Sequence, residues 1–405
     1  MVATARQQRG QVIAQSLPIT RKGAVWLVPS QTGTGRYTVS PHPTAPHCTC
    51  PDHQETGQMC KHLFAVEYVV SRQEHPDGTT TVTETLTVTA PTCRPTYRQN
   101  WPAYNAAQSH EKELFQVLLR DLCAGLQDPP RPPTRGRRPV KLADAVFNAG
   151  LKVYTTVSGR RAMTDLRDAA DDERGGKALH YNTVFKAMEN PALTPVLRAL
   201  IAESAAPLAA VEADFACDSS AFTTSKFVRW FDVKHGGVRS EHEWVKVQMM
   251  CGVKTNVVTT AVVCDRDGPD SPYLPQLVSE TADRFAMRDV LADKGYSSAY
   301  GHEAVAAAGA TPFIAFKKNA TGKSGGVYQK MFHYFQYKRD EFQAHYHKRS
   351  NAESVFSAVK RKFGDSLRSK TRPAMVNELL LKFLCHNLCV LIQEMHELGV
   401  TPIFW

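Results

Sequence analysis

At roughly 150 residues per domain, a chain of 405 residues is too long for one small module and makes two or three domains. Its 42% hydrophobic residues can fill packed cores, while 49 Lys+Arg against 39 Asp+Glu give a formal charge of +10 that favours a polyanionic partner over acid-seeking small-molecule chemistry. The most apolar run, LLLKFLCHNLCVLI at 379–392, is interrupted by Lys382, His386 and Asn387, which argues against a membrane span.

In chain order, MVATARQQRGQVIAQ is basic but lacks the apolar stretch of a signal peptide, so the expected compartment is cytoplasmic. There the ten cysteines stay reduced, and a cluster of them is expected to bind metal rather than form disulfides. Two β-like runs, AVWLVPS and RYTVS, flank QTGTGR, whose glycines and threonines suit a hairpin loop. The cysteines then crowd together: Cys48, Cys50, Cys60 and His62 give C-x-C-x9-C-x-H. Four soft or borderline ligands this close suit a closed tetrahedral Zn²⁺ site, which can hold together a segment too small to build its own core. His42, His47 and His53 are nearby rival ligands. LFAVEYVV follows as a short apolar helix, and TTTVTETLTVTA alternates like an edge strand or an extended connector. Over about 36–70 the spacing and the following helix resemble the SWIM zinc finger, a family associated with DNA or protein binding. The expected zinc module spans 1–78.

A connector over 79–140 ends in DPPRPPTRGRRPVK, whose prolines and unopposed Arg131, Arg135, Arg137, Arg138 and Lys141 predict a stiff cationic linker. Arg135, Arg137 and Arg138 are candidate DNA contacts. A helical region over 141–208 follows, with helices expected at 141–154, 160–172 and 179–189. In the third, Tyr181, Val184, Phe185 and Met188 make one apolar face. A fourth helix is expected to start with Thr194 as N-cap and Pro195 at its first position. The first three could form a helix-turn-helix that presents His180, Asn182, Thr183 and Lys186 to DNA.

From 209 to 365 the pattern becomes mixed α/β. Strand-like VEADFACD, EWVKVQMM and NVVTTAVVC come first, then RDVLAD and TPFIAF separated by helical segments, then a long helix at about 346–363; a C-terminal helix fills 366–405. That order is expected of an RNase H-like mixed sheet. Asp218 and Asp293 end their strands, and Glu353 lies on the long helix. Converging carboxylates of this kind suit Mg²⁺ or Mn²⁺, two of which can activate an attacking oxygen and stabilise the leaving one. Asp214, four residues before Asp218, is the rival first acid, whereas Asp265, Asp267 and Asp270 read as turn formers. At 100° per residue Tyr346, Arg349, Glu353 and Lys360 share one helix face. Gly322-Lys323-Ser324 lacks the upstream glycine of a phosphate-binding loop, and His302-Glu303 lacks the second histidine of a zinc protease.

Tyr346, Arg349, Glu353 and Lys360 complete the pattern Y-x2-R-x3-E-x6-K, and with VLADKGYSSAYGHEAVAAAG and the closing LLLKFLCHNL the chain resembles an insertion-sequence DDE transposase over about 210–395. The resemblance implies that Asp218, Asp293 and Glu353 are the metal-binding catalytic triad. It also implies metal-dependent cleavage at the ends of a mobile element and strand transfer into target DNA. Tyr346, Arg349 and Lys360 would contact DNA phosphates or orient the acids. Lys317, Lys318 and Arg361, in basic tracts flanking Glu353, are further candidate DNA contacts with a salt-dependent contribution. The expected partners are the element's terminal repeats and target DNA, bound by a homodimer in the nucleoid, with catalytic Mg²⁺ or Mn²⁺ and structural Zn²⁺ as cofactors. A non-catalytic DNA-binding regulator descended from such an enzyme, and a metal-dependent nuclease that cuts without joining, are the alternatives.

Overall fold

A computed structural model describes residues 5–31, 35–42, 45–74, 80–84, 100–130, 139–172, 176–224, 244–264 and 266–405. Arg135, Arg137, Arg138 and Asp265 lie outside these residues. The chain divides into two compact units, Met1–Arg98 and Gln99–Trp405.

The first unit opens with helix α1 (Ala5–Ser16) and a sheet in the order β1 (Thr20–Lys22), β2 (Val25–Pro29), β3 (Arg36–Ser40), β4 (His47–Cys48), each strand antiparallel to its neighbour. The hairpin expected around QTGTGR is the β2–β3 pair. Helices α2 (Pro51–Thr56) and α3 (Lys61–Val69) follow, then antiparallel β5 (Val70–Glu74) and β6 (Thr80–Glu84). The Thr/Val tract thus begins as a strand, and its remainder lies outside the described residues. α1 has little apolar periodicity and buries only Gly10 and Ile13. At Gly10 an added Cβ would lie 2.7 Å from Phe64 Cβ, so only glycine lets α1 cross α3 this closely. The core holds Ile13, Trp26, Val28, Val39, Leu63 and Val66 together with Cys48, Cys50 and Cys60.

In the second unit, α4 (Trp101–Ser109), α5 (Glu111–Ala124), α6 (Leu142–Tyr154), α7 (Ala162–Asp171), α8 (Tyr181–Met188) and α9 (Leu193–Ala205) precede the sheet. Helix α9 starts one residue before Thr194, so Thr194 does not cap it; its hydroxyl instead donates to Asn377 Oδ1 at 2.8 Å. Of the expected apolar face on α8, Val184 and Met188 are buried but Phe185 is 38% exposed. The strands β7 (Asp214–Thr223), β8 (Trp244–Gly252), β9 (Val258–Cys264), β10 (Asp289–Ala292) and β11 (Thr311–Ile314) assemble in the order β11-β10-β7-β8-β9. β7, β8 and β9 are antiparallel, whereas β10 runs parallel to both β7 and β11. Helix α10 (Leu274–Ala282) connects β9 to β10, and α11 (Ala299–Ala307) connects β10 to β11. The expected mixed α/β architecture is therefore present, with one mixed sheet.

After β11 come α12 (Gly326–Tyr337), α13 (Arg339–Tyr346), a 3₁₀ turn at His347–Arg349, α14 (Ser350–Phe363) and α15 (Arg372–Glu397). The single helix expected over 346–363 is thus broken: Tyr346 ends α13, Arg349 lies in the turn, and Glu353 is in the first turn of α14. A 3₁₀ turn advances about 120° per residue, so uniform helical spacing does not describe these residues.

By length and composition α15 could cross a membrane, but 78% of its most apolar stretch is buried inside this unit. The polar residues that interrupt it are buried and paired. Lys382 Nζ donates to Gly364 O at 2.8 Å and Ser366 O at 2.9 Å, and His386 Nε2 lies 2.9 Å from Asn256 O. Asn387, fully buried, accepts from Val258 N–H at 2.8 Å and donates to Val258 O, Ile201 O and Ser204 Oγ. It therefore ties α15 to β9 and α9. Asn387→Ala leaves a buried N–H and several carbonyl or hydroxyl oxygens without partners, and is expected to cost about 2–4 kcal/mol of stability, read as a lower midpoint in urea unfolding. A midpoint unchanged from wild type would remove this role.

Candidate active site and metal centre

The parallel pairing of β7 and β10 sets the two aspartates. Its last register pair is Cys217 opposite Ala292, so Asp218 and Asp293 follow at the same level on neighbouring strands. Asp218 Oδ1 accepts from Ser219 N–H at 2.9 Å. Asp293 Oδ1 accepts from Lys294 N–H at 2.7 Å and caps the 3₁₀ turn Lys294–Tyr296. Asp218 thus lies within β7 rather than at its end as expected, because β7 continues to Thr223 along β8; Asp214 is the first residue of β7, paired in register with Asp289. Its two carboxylate oxygens accept from Arg288 at 2.8 and 2.7 Å, and Lys348 Nζ adds a third contact at 2.7 Å. Although burial opposes ionisation, these donors hold the Asp214 carboxyl below its usual range.

The turn His347–Arg349 is anchored at that same end of the sheet, where His345 Nδ1 lies 2.6 Å from Asp289 Oδ2 and Lys348 reaches Asp214. Arg349 projects instead to the other acids. Its Nη1 is 3.7 Å from Asp218 Oδ2 and its Nη2 donates to Glu353 Oε1 at 2.7 Å, while its guanidinium carbon is 5.9 Å from the centre of the Tyr346 ring. A single guanidinium thus bridges two of the candidate acids. Burial pushes the Asp218 carboxyl up; Glu353 and Asp293 add to this as like charges, and the Ser219 N–H and Arg349 oppose it. The three acids therefore share one electrostatic site. Lys360 contacts none of the three acids directly: its Nζ donates to Ser220 Oγ at 2.7 Å and lies 5.1 Å from the centre of the Phe222 ring. Asp218, Ser220 and Phe222 alternate along β7 and so share a face, beneath α14.

One contributor escaped the sequence reading. Asp270 is more than a turn former, because its Oδ1 accepts from Lys246 Nζ at 2.7 Å and from Gln248 Nε2 at 2.6 Å. Burial opposes ionisation there too, but these donors lower its carboxyl. Gln248 Oε1 in turn accepts from Tyr296 in the turn that Asp293 caps. Only the register of β8 brings these groups together.

Because burial holds the folded-state pKa of Asp218 above its unfolded value, its ionisation destabilises the folded chain. The contribution is favourable below the unfolded carboxylate pKa and is lost as pH rises through the raised value. Asp218→Asn is thus expected to raise Tm at pH 7 by about 2 °C and to show a smaller gain at pH 4. A Tm lowered at pH 7 would contradict this electrostatic account.

Residues 211–388 match the family model of the Transposase DDE domain. The matched residues include all three candidate acids and Arg349. The chain is similar to piggyBac transposase in a synaptic complex with hairpin DNA, at a TM-score of 0.35 and 11% identity over 76% of this chain and 78% of that one, too loosely to carry an argument. No curated protein matches the chain.

Within the matched residues, Lys317 and Lys318 are exposed just beyond β11, whose C-terminal end is at the same end of the sheet as Asp293. Arg361 is exposed on α14, with Nη2 3.3 Å from Ser357 Oγ. It borders an open groove that also runs past Ser350, Glu353, Ser354 and Ser357. Lys186 is exposed on α8, as are His180 and Asn182, and the His180 ring nitrogen accepts from Asn182 N–H at 3.3 Å.

In the first unit, the ligand atoms of Cys48, Cys50, Cys60 and His62 all lie within 4.8 Å of one another, and all four residues are buried. The β3–β4 pair places Cys48, and the starts of α2 and α3 place the others: Cys50 is the N-cap residue of α2, with its sulfur accepting from His53 N–H at 3.4 Å, and Cys60 is the N-cap residue of α3. Cys50 N–H in turn donates to Cys48 Sγ at 3.4 Å. His62 turns Nδ1 toward the sulfurs of Cys48 at 3.9 Å and Cys60 at 4.0 Å. Of the rival histidines, His53 is turned to Gln58 O at 2.8 Å and His47 is exposed. The Cys48 thiol holds Cys60 well below the usual thiol range by hydrogen bonding, while burial pushes Cys50 up. Three gathered sulfurs, backbone N–H groups aimed at two of them and an imidazole nitrogen fit a tetrahedral soft-metal site.

Proposed function

We propose that the chain is a DNA transposase that cleaves at the ends of a mobile element and joins the freed strand to target DNA. The observation that carries this reading is the Arg349 bridge between Asp218 and Glu353, beside Asp293, within the DDE domain. Asp218, Asp293 and Glu353 would hold Mg²⁺ or Mn²⁺ through hard carboxylate oxygens. Bound divalent cations would supply activation of the attacking oxygen and neutralisation of the leaving one. Arg349 neutralises the clustered carboxylates of the free enzyme and is placed to pass to a phosphate oxygen when DNA arrives. Tyr346 offers its ring beside that phosphate. Water attacks the phosphodiester first, and the resulting 3′-hydroxyl then attacks target DNA in line, with no covalent protein–DNA intermediate.

The sheet order β11-β10-β7-β8-β9 supports an RNase H-like core. Residues 1–78 read as a SWIM-type module whose Zn²⁺ is structural, and 141–208 as the region that reads the terminal repeats, Lys186 among its contacts. Lys317, Lys318 and Arg361 line the DNA path, Arg135, Arg137 and Arg138 are further DNA contacts by charge, and the protein works as a homodimer. The test is incubation of the full chain with flanking genomic DNA, a target plasmid and Mg²⁺, with products mapped to the nucleotide. Joined products support the transposase. Cuts without joining would make it a nuclease, and neither cuts nor joints would make it a DNA-binding regulator.

A further inference from the structure

A cavity of about 330 Å³ lies in the second unit between the C-terminal part of α6, the loop at 157–159, α8 and the segment 368–374. Its apolar wall is Val157, Phe185, Met188 and Ala374. Phe185 presents an aromatic ring there although its neighbours Val184 and Met188 are each only 1% exposed. Gly159 makes room for that ring, since an added Cβ would lie 2.4 Å from Phe185 Cζ. The polar lining is cationic on balance: Lys152, Arg368 and Lys370 against Glu189.

Lys152 is the unusual member. It is 7% exposed, and among the described residues its ammonium has no hydrogen bond or ion pair. Glu378 favours its charge, yet the Glu378 carboxylate accepts from the backbone N–H groups of Arg368 at 3.0 Å and Ser369 at 2.8 Å. Burial lowers the Lys152 pKa. Buried ammonium groups are normally paired, because desolvation is otherwise uncompensated. A cavity wall bearing such a group is organised for an anion that arrives from outside.

We propose that this cavity binds a nucleoside phosphate, with the base against Phe185 and the phosphate among Lys152, Arg368 and Lys370. Bases stack on aromatic side chains, phosphate oxygens take charge-assisted hydrogen bonds from ammonium and guanidinium groups, and the volume falls within the range of about 300–1,000 Å³ usual for small-ligand sites. The choice of a nucleotide over another aromatic anion rests on the DNA-transposase reading. The same chemistry is offered by a free nucleotide and by the 5′-phosphorylated end of a DNA strand.

The full chain is titrated calorimetrically with thymidine 5′-monophosphate, thymidine, inorganic phosphate and a 5′-phosphorylated oligothymidylate. The monophosphate should bind at least about ten-fold more tightly than thymidine or phosphate alone. Lys152→Met should weaken it about ten-fold without lowering Tm, because the substitution removes a largely buried charge that has no partner among the described residues, and Phe185→Ala should weaken the monophosphate but not phosphate. An oligonucleotide that binds more tightly than the monophosphate, and loses that advantage in Lys152→Met, identifies a strand end as the ligand; equal binding identifies free nucleotide. The proposal is overturned if the monophosphate binds no better than phosphate, or if Lys152→Met leaves its affinity unchanged. Binding needs no strand cleavage, so Asp293→Asn should bind as wild type does. Nucleotide binding in a chain that never cuts DNA would defeat the transposase reading alone, and cutting without nucleotide binding would defeat the cavity alone.

Discussion

Asp293→Asn and Glu353→Gln are each expected to reduce Mg²⁺-dependent strand cleavage by about 10³-fold or more, with DNA affinity within a few-fold of wild type. Both substitutions preserve shape and remove one metal-binding charge. A loss of that size corresponds to about 4 kcal/mol of transition-state stabilisation, within what a displaced catalytic metal can account for. Folding should be unaffected. The Asp293 side chain accepts a single backbone N–H, which an amide oxygen can also accept, and the Glu353 side chain is 58% exposed with Arg349 as its partner. Substitutions at such positions usually change stability by about 0.5 kcal/mol or less. Cleavage measured on end-labelled DNA, binding by electrophoretic shift and Tm on the same preparations separate these effects. Wild-type cleavage by either variant would remove that acid from the triad, and lost activity accompanied by a collapsed Tm would point to misfolding instead.

The second large effect is expected in the first unit. Its core includes Cys48, Cys50 and Cys60 themselves, so the ligands are also packing residues. Structural zinc contributes about 10–16 kcal/mol to the folding of small metal domains, comparable to the whole stability of an ordinary domain. Cys60→Ser, or a strong chelator, should therefore unfold Met1–Arg98, seen as rapid proteolysis of that unit and loss of one zinc per chain by atomic absorption. His53→Ala should keep the zinc, because the His53 ring nitrogen is turned to Gln58 O. A Cys60→Ser chain that retained zinc and protease resistance would contradict the assignment.

Several features were legible because they depend on local pattern. The five apolar runs from 211 became the five strands of the sheet, and the cysteine spacing marked four side chains that come together as potential ligands. Asp293 follows the end of β10 as expected, whereas Asp218 lies within β7, which runs on to Thr223 along β8; the two acids are level because both follow the last paired residues of β7 and β10.

What was missed depends on tertiary neighbours. Uniform helical phase put Tyr346, Arg349, Glu353 and Lys360 on one face of a single helix, but a 3₁₀ turn at His347–Arg349 separates Tyr346 and Arg349 from the helix that carries Glu353 and Lys360, and sequence did not show that Lys360 would pair with Ser220. The Asp270 pairing with Lys246 and Gln248 needs the strand register, and the partners of Asn387 lie far away in sequence. Phe185 has the spacing of a core residue, yet helical periodicity cannot say which apolar side chain the rest of the fold leaves uncovered. The stretch expected as a connector over 79–140 holds helices α4 and α5, and α5 was legible, because Phe115, Leu118, Leu119 and Leu122 keep the i, i+3, i+4, i+7 spacing and are all buried. α1 offered little to read, since its burial depends on a glycine crossing rather than an apolar stripe.

The central claim is that these carboxylates hold the metal that drives cleavage, and a change of ligand hardness tests it most directly. A thiolate in place of a carboxylate binds Mg²⁺ poorly and accepts softer ions better. Asp293→Cys should be inactive on element-end DNA in Mg²⁺ and regain cleavage in Mn²⁺, whereas Asp293→Ala should stay inactive in both. Equal activity of the two variants in Mn²⁺, or Mg²⁺ cleavage by Asp293→Cys at the wild-type rate, would contradict direct metal ligation by Asp293.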